Sequence, residues 1–282
     1  MKFNKIKSHA KINLSLNVLG KCNSKLHKIE SLVSFLTLSD DIFIKKIESE
    51  NHKVKFKGKF SKKIPKKNTI TELLKILENK KKLKNQKYNI VVKKNIPQKA
   101  GLGGGSMNAA SIIKYLCEKK KMSLAKNEIL SITSKIGSDV ILGMNQKNSV
   151  IYNNNKLKII NKNFNLFTLL LKPNFGCTTK KIYKSVKNFS RPSLRNTEIS
   201  NLNYKFLSRL NNDLEKPAFN KYKKLNSIKK FMEKIDNVLF VRMTGSGSTI
   251  ISYFNSKKSA LNARKILKKN YKNYWCNLSK TI

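Results

Sequence analysis

Ten residues, Pro97-Gln98-Lys99-Ala100-Gly101-Leu102-Gly103-Gly104-Gly105-Ser106, hold four glycines in five positions, between a strand pattern and a periodic helix pattern. Without Cβ atoms, such a loop can turn backbone N–H groups toward an anion and let it approach closely. Ser106 is placed to cap the following helix, whose N-terminus adds free amides and a positive dipole. The chemistry this suits is the holding of a polyphosphate. The run lacks the Gly-Lys-Ser/Thr ending of a Walker loop. Ser106 stands where a dinucleotide fingerprint has its third glycine. A plain surface loop is the alternative, and the well-formed elements on both sides argue against it.

Two other segments carry polar groups where packing does not ask for them. Lys11 and Asn13 alternate with Ala10, Ile12 and Leu14 on an apolar strand, and Gly137-Ser138-Asp139-Val140 ends a helix pattern with a carboxylate in apolar company. The chain has five aspartates. Asp40 and Asp41 read as solvated turn residues after Leu38-Ser39, and Asp213 and Asp236 as surface or capping residues. Asp139, between Gly137 and Gly143 and beside Val140, Ile141 and Leu142, is either a chemical carboxylate or a plain helix end.

Strand patterns fall at residues 3–19, 29–38, 42–44, 54–56 and 88–92, and later at 157–160, 166–171, 238–241 and 250–254. Helical spacing covers 69–79, 106–117, 124–136, 204–211, 227–234 and 257–269. An Asn153-Asn154-Asn155 turn marks a change of texture near residue 155. Residues 178–197 are polar and basic, around Pro192. This mixture without long helical runs predicts an α+β architecture in two domains, 1–155 and 156–282. No internal repeat or disordered tail is evident.

The 282 residues suffice for one large domain or two ordinary ones, at about 100–200 residues per domain. No apolar run approaches the roughly 18–20 residues of a membrane span, and residues 1–20 do not read as a secretory signal. The expectation is a cytoplasmic protein with reduced thiols. Cys22, Cys117, Cys177 and Cys276 are far apart, without zinc-site spacing. The net charge of +46 suggests anionic partners. Only five of the 61 basic residues are arginine, however, and the lysines are spread over nearly every segment. Nucleic-acid readers favour clustered arginine, so dispersed lysine reads as compositional drift. No specific nucleic acid and no membrane partner is expected.

Taken in order, Ala10-Lys11-Ile12-Asn13-Leu14, the Gly-Leu-Gly-Gly-Gly-Ser loop, Gly137-Ser138-Asp139-Val140 and Thr244-Gly245-Ser246-Gly247-Ser248 resemble the small-molecule kinases of the GHMP superfamily. Within it the chain is most similar to the branch acting on a cytidine-diphosphate-linked methylerythritol, in the non-mevalonate route to isoprenoids. That resemblance rests on the histidine soon after the first motif and on Asn108-Ala109-Ala110 after the loop. It implies a GHMP kinase fold: an N-terminal domain like the second domain of ribosomal protein S5 and a ferredoxin-like C-terminal domain, with the active site in a cleft. It also implies ATP-dependent phosphorylation of the substrate's 2-hydroxyl, with Mg²⁺ bridging the phosphates. By the family pattern Asp139 accepts the hydroxyl proton and Lys11 sits beside it. Gly101, Gly103, Gly104, Gly105 and Ser106 wrap the ATP phosphates, Pro97 and Leu102 belong to the same ATP site, and Asn68, Ile70 and Lys94 lie near the adenine. Asn13 binds the acceptor end, His27 reads the cytosine edge, Tyr183 stacks on the base, and Thr179 belongs to the same pocket. Gly245, Ser246 and Gly247 form a glycine turn that closes the site. No metal ligands are assigned, and monomer and homodimer both stay open.

The chain departs from the family at Lys25-Leu26-His27, where Gly-Tyr-His is usual, at Met107 in place of a small hydroxyl residue, and at Ile141 in place of a proline. Stacking on one base is worth roughly 1–3 kcal/mol, so Leu26 implies weaker substrate binding. A GHMP kinase for mevalonate or homoserine, or a basic nucleic-acid-binding protein, are the rival readings.

Overall fold

The computed structural model describes residues 2–22, 27–119, 121–152, 156–194 and 197–282. The Asn153-Asn154-Asn155 turn and Leu26 lie outside the described residues. In chain order the elements are β1 (Asn4–Asn13), β2 (Asn17–Lys21), β3 (His27–Ile47), β4 (Lys53–Lys57), α1 (Thr69–Asn79), β5 (Lys87–Lys93), α2 (Gly104–Glu118), α3 (Lys126–Ile136), α4 (Val140–Asn145) and β6 (Ser149–Tyr152). They continue with β7 (Lys156–Ile159), β8 (Phe167–Lys172), α5 (Thr179–Lys184), α6 (Tyr204–Arg209), α7 (Glu215–Lys221), α8 (Lys223–Glu233), β9 (Phe240–Met243), β10 (Ile250–Phe254), α9 (Lys257–Asn270) and β11 (Trp275–Lys280).

Two compact units form, each drawing on several separate stretches of the chain. The first holds Met1–Ala10, Leu38–Gln98 and Gly103–Gln146; the second holds Lys11–Thr37, Lys99–Leu102 and Lys147–Ile282. β1, β3 and the glycine loop each contribute to both units.

In the first unit β5 pairs with the latter part of β3, antiparallel, and with β4, parallel. β4 alternates exposed Lys53, Lys55 and Lys57 with the less exposed Val54 and Phe56, a charged pattern that suits a strand at a sheet edge. α1 starts at a capping box: the Asn68 side chain accepts from the Ile70 and Thr71 amides, and Thr71 Oγ1 accepts from the Asn68 amide. Its Ile70, Leu73 and Leu77 face Ile112, Ile113 and Leu116 of α2 in one core with Ile42, Ile44, Ile90 and Val92 from the strands. At roughly 1.5–3 kcal/mol per large apolar side chain, this layer fixes where the two helix starts sit.

β3 is one strand of 21 residues, not the two expected. The Ser39-Asp40-Asp41 break that reads as a turn is held straight by partners distant in sequence. Asp40 is fully buried; it is ion-paired with Lys94 and accepts from the Asn95 and Ile96 amides at 2.8 and 2.9 Å. Asp41 pairs with Lys5 at 3.1 Å. The solvated-turn reading of these aspartates is therefore corrected.

In the second unit β2 and the start of β3 form a hairpin, and β3 continues to β6 and β7, all antiparallel. A separate antiparallel sheet runs β11-β8-β10-β9, as the ferredoxin-like expectation requires. Every residue of β10 is buried, and α8 and α9 contribute Ile228, Met232, Ala260, Ala263 and Leu267 to its core.

Candidate active site

In the first unit, the start of α2 is built to leave its amides open. Gly103 is the N-cap, in the left-handed region at φ 65°, and no side chain caps the helix. Ser106 is thus the third helical residue and not the cap expected of it. The first amides of a helix lack intrahelical partners, so they remain available to an anion. Below them, a Cβ on Gly104 would meet Ile96 Cγ2 at 3.1 Å and Lys94 Nζ at 3.3 Å, and one on Gly105 would meet Thr69 Oγ1 at 3.2 Å. Thr69 Oγ1 in turn donates to the Gly105 carbonyl at 2.9 Å. The glycines are required by close approach from beneath, and Lys94 places an ammonium under the helix start. Asn108, one turn further along, is buried with its Oδ1 unpartnered.

Of the other residues assigned to ATP, several have structural duties. The Asn68 oxygen is used by the α1 cap. Ile70 is 1% exposed in the core, so only its backbone could face a ligand, and Pro97 is buried. Asn68 also lines a cleft of about 580 Å³ with Val54, Phe56, Pro65 and Leu74, which none of the loop glycines reaches.

Asp139 begins α4, and its side chain makes no cap bond to that helix. α4 lies tightly on α2, because a Cβ on Gly143 would stand 2.6 Å from Ala110 Cβ. Met107 occupies the same contact, its Sδ 3.1 Å from that position. A Cβ on Gly137 would lie 3.5 Å from Ser106 Oγ. The Gly137-Ser138-Asp139 turn is therefore packed beside the open end of α2, with Asp139 half-buried.

In the second unit, Lys11 is 5% exposed, and its Nζ donates to Asn13 Oδ1 at 2.8 Å. Asn13 Nδ2 donates to Ser31 Oγ at 2.8 Å, and Ser31 Oγ passes on to the Ser15 carbonyl at 2.5 Å. Thr244 Oγ1 accepts from the Asn13 amide at 3.0 Å and donates to the Gly101 carbonyl at 3.2 Å. The Lys11 amide donates to the Leu102 carbonyl at 3.1 Å. Gly101, at φ +75°, admits no side chain, since a Cβ would sit 2.2 Å from the Thr244 carbonyl oxygen. A Cβ on Gly245 would lie 3.4 Å from Asn13 Oδ1. Lys11, Asn13, the Gly101 turn and the 244–245 turn are one cluster.

A row of side chains leads on from that cluster. Thr179 Oγ1 and Ser246 Oγ are 2.9 Å apart and hydrogen-bonded. Tyr183 lies four residues further along α5, hence on the same helical face. Its ring sits 5.1 Å from that of His27, tilted by 37°. Burial and the nearby charge of Lys21 hold the His27 pKa below its ordinary 6.5, so the neutral ring prevails at pH 7. Its Nε2 is buried without a hydrogen-bond partner. α5 lies in the stretch read from sequence as merely polar and basic; its single buried residue, Ile182, gives no period to detect. Gly247 packs against Met243 and Cys177, with Met243 Sδ 2.8 Å from its Cβ position.

Ser31, Thr69 and Asn212 carry no mark in the sequence, and Thr244 stands there only as the first residue of the 244–248 motif, with no role of its own. Each acts through a partner far along the chain, which no local pattern records. Asp213, read as a surface or capping residue, accepts from the Val18 amide at 2.7 Å and so belongs to the support of this cluster.

A family model for the GHMP kinases N terminal domain matches residues 68–150, and one for the GHMP kinases C terminal matches residues 193–273. The 4-diphosphocytidyl-2-C-methyl-D-erythritol kinase of Pelagibacter ubique is 50% identical over 99% of both chains. The chain belongs to the GHMP kinases. Within them it falls among the 4-diphosphocytidyl-2-C-methyl-D-erythritol kinases. The kinase of that name from Clostridioides difficile is 32% identical, over 96% of this chain and 94% of its own. A crystal structure of a 4-(cytidine 5'-diphospho)-2C-methyl-D-erythritol kinase superposes with a TM-score of 0.78, at 22% identity, over 98% of this chain and 99% of its own. This likeness bears out the α+β GHMP kinase fold, and the named relatives favour this kinase over one for mevalonate or homoserine. Among the described residues no helix is long and apolar enough to cross a membrane.

Proposed function

We propose that the chain transfers the terminal phosphoryl group of ATP to the 2-hydroxyl of 4-diphosphocytidyl-2-C-methyl-D-erythritol, in the cytoplasm, as a step of isoprenoid precursor synthesis. The observation that carries the reaction is the Asp139 turn packed against the uncapped end of α2. That turn carries the carboxylate, and the amides of the helix end it packs on suit a polyphosphate, which supports this reading. Residues 1–155 supply most ATP contacts and residues 156–282 most of the pocket for the cytidine end. The amides of Gly104, Gly105 and Ser106 hold the phosphates, with Lys94 adding charge from below. Asn68 lies toward the purine, on the cleft it lines with Val54 and Phe56.

Asp139 orients the acceptor hydroxyl and takes its proton late in the transfer, since phosphoryl transfer depends mostly on positioning and electrostatics. Lys11 is the cation we assign to offset charge on the transferring group. Asn13 holds the ammonium of Lys11 in place and faces the acceptor. Mg²⁺, when bound with ATP, would neutralise phosphate charge. Among the described residues no cluster of three or more His, Cys, Asp or Glu could hold a metal ion. Phosphate oxygens and water, with Ser106 at most, would complete its shell, which suits a cation that keeps several waters.

His27 reads the cytosine edge through the unpartnered Nε2 while Tyr183 stacks on the base. His27→Ala should therefore lower kcat/KM for the cytidine substrate by roughly 10- to 100-fold, the effect of about 1–3 kcal/mol for one lost buried hydrogen bond. KM for ATP should stay within twofold. Steady-state kinetics with each substrate varied in turn measure both; an unchanged acceptor KM would remove His27 from the pocket.

A further inference from the structure

We infer that Asn212 is a positioning residue for this reaction, the central pin of a polar clamp that sets the 244–245 turn against Asn13. The inference rests on the reading of Asn13 and residues 245–247 as acceptor-binding. Asn211-Asn212-Asp213-Leu214-Glu215 lies between two backbone segments of the second unit and bonds to both. On one side the Leu16 amide donates to the Asn211 carbonyl at 2.9 Å and the Asp213 amide to the Leu16 carbonyl at 2.8 Å. The Val18 amide donates to Asp213 Oδ2 at 2.7 Å. These bonds hold the chain just after Asn13. On the other side the Met243 amide donates to Glu215 Oε1 at 2.7 Å. Asn212 Nδ2 donates to the carbonyls of Met243 and Gly245 at 2.7 and 2.8 Å.

Asn212 alone among these side chains reaches the glycine turn itself. It is 3% exposed, and its Oδ1 accepts from the Leu214 amide at 3.0 Å. A carboxamide is required there. Both hydrogens of one nitrogen go to carbonyl oxygens, so a carboxylate of the same shape would set oxygen against oxygen in a buried place. Arg242 braces the same region, donating to the carbonyls of Leu14 at 2.5 Å and Leu207 at 3.0 Å. Strain at Asn212 is therefore relieved at the Gly245 turn, which packs on Asn13 Oδ1, the acceptor of the Lys11 ammonium.

The decisive variant is Asn212→Asp, with Asn212→Ser as a neutral variant that cannot bridge both carbonyls. Both are to be assayed for ADP release with ATP and the cytidine substrate varied separately, alongside amide hydrogen exchange in residues 243–254. The expected result is a kcat at least tenfold lower in Asn212→Asp, a raised acceptor KM and an ATP KM within twofold. Exchange should be roughly tenfold faster at 245–247 and unchanged in β10, with Asn212→Ser intermediate throughout. If Asn212→Asp does not fold, Asn212→Ser decides by the same split. Unchanged exchange at 245–247, or a rise in both KM values together, would overturn the inference. Absence of turnover in the unmodified enzyme would sink the proposed function instead, while the exchange comparison would still decide the clamp.

Discussion

Asp139→Asn should bind ATP normally and lose kcat by roughly 10²- to 10⁴-fold, the range for a positioned general base. The replacement keeps shape and volume, and Asp139 makes no cap bond that α4 would lose. The close contact of α4 with α2 through Gly143 does not involve the carboxylate. The phosphate cradle at the start of α2 is therefore left as it is. What disappears is the capacity to accept the acceptor's proton. Measured ATP affinity together with kcat at saturating substrate separates the two functions. A kcat within tenfold of the parent enzyme would remove Asp139 as the base, and the reading of the Gly137 turn as catalytic with it.

Lys94→Met should destabilise the protein by about 3–5 kcal/mol, the cost of leaving one partner of a buried ion pair alone. Asp40 is fully buried and Lys94 is 5% exposed. Without the ammonium, the Asp40 carboxylate keeps the Asn95 and Ile96 amides among the described residues. Adding Asp40→Leu should recover part of the loss and not all, because those two amides would then be orphaned in the interior. Urea unfolding of the single and double variants measures this. A single variant within about 1 kcal/mol of the parent would contradict it, since breaking such a pair is expected to cost several times that. Lys94 also lies under Gly104, so the double variant should bind ATP more weakly even where it is folded.

The parts of the fold that rest on local patterns were legible. α1 at 69–79 and β10 at 250–254 stand where the apolar spacing puts them, and α9 extends one residue beyond its pattern, because each carries a burial face or a cap within its own residues. β3 was not legible as one strand, because Asp40 is made compatible with a strand only by Lys94, 54 residues away. Short α4, α5 and α7, of six or seven residues, leave too little sequence for a period to emerge. β6, with its first three residues all buried, and β11, half-buried along most of its length, show no alternation to mark them as strands.

The candidate site divides in the same way. The glycine loop announced an anion cradle by composition. It did not disclose that Gly103, in a left-handed conformation, would take the cap position assigned to Ser106. Lys11 and Asn13 stood out as polar residues on an apolar strand. Of the residues that hold this cluster, Thr244 stands in the 244–248 motif, but its bond to the Asn13 amide, 231 residues away, leaves no local trace, and Asn212 carries no mark of its own.

ADP release by the purified enzyme tests the central claim most directly. It should be followed with 4-diphosphocytidyl-2-C-methyl-D-erythritol, mevalonate and homoserine in parallel, each with ATP and Mg²⁺. The account predicts turnover with the cytidine-linked alcohol alone. Equal turnover with mevalonate or homoserine, or none with the cytidine-linked alcohol while ATP still binds, would contradict it.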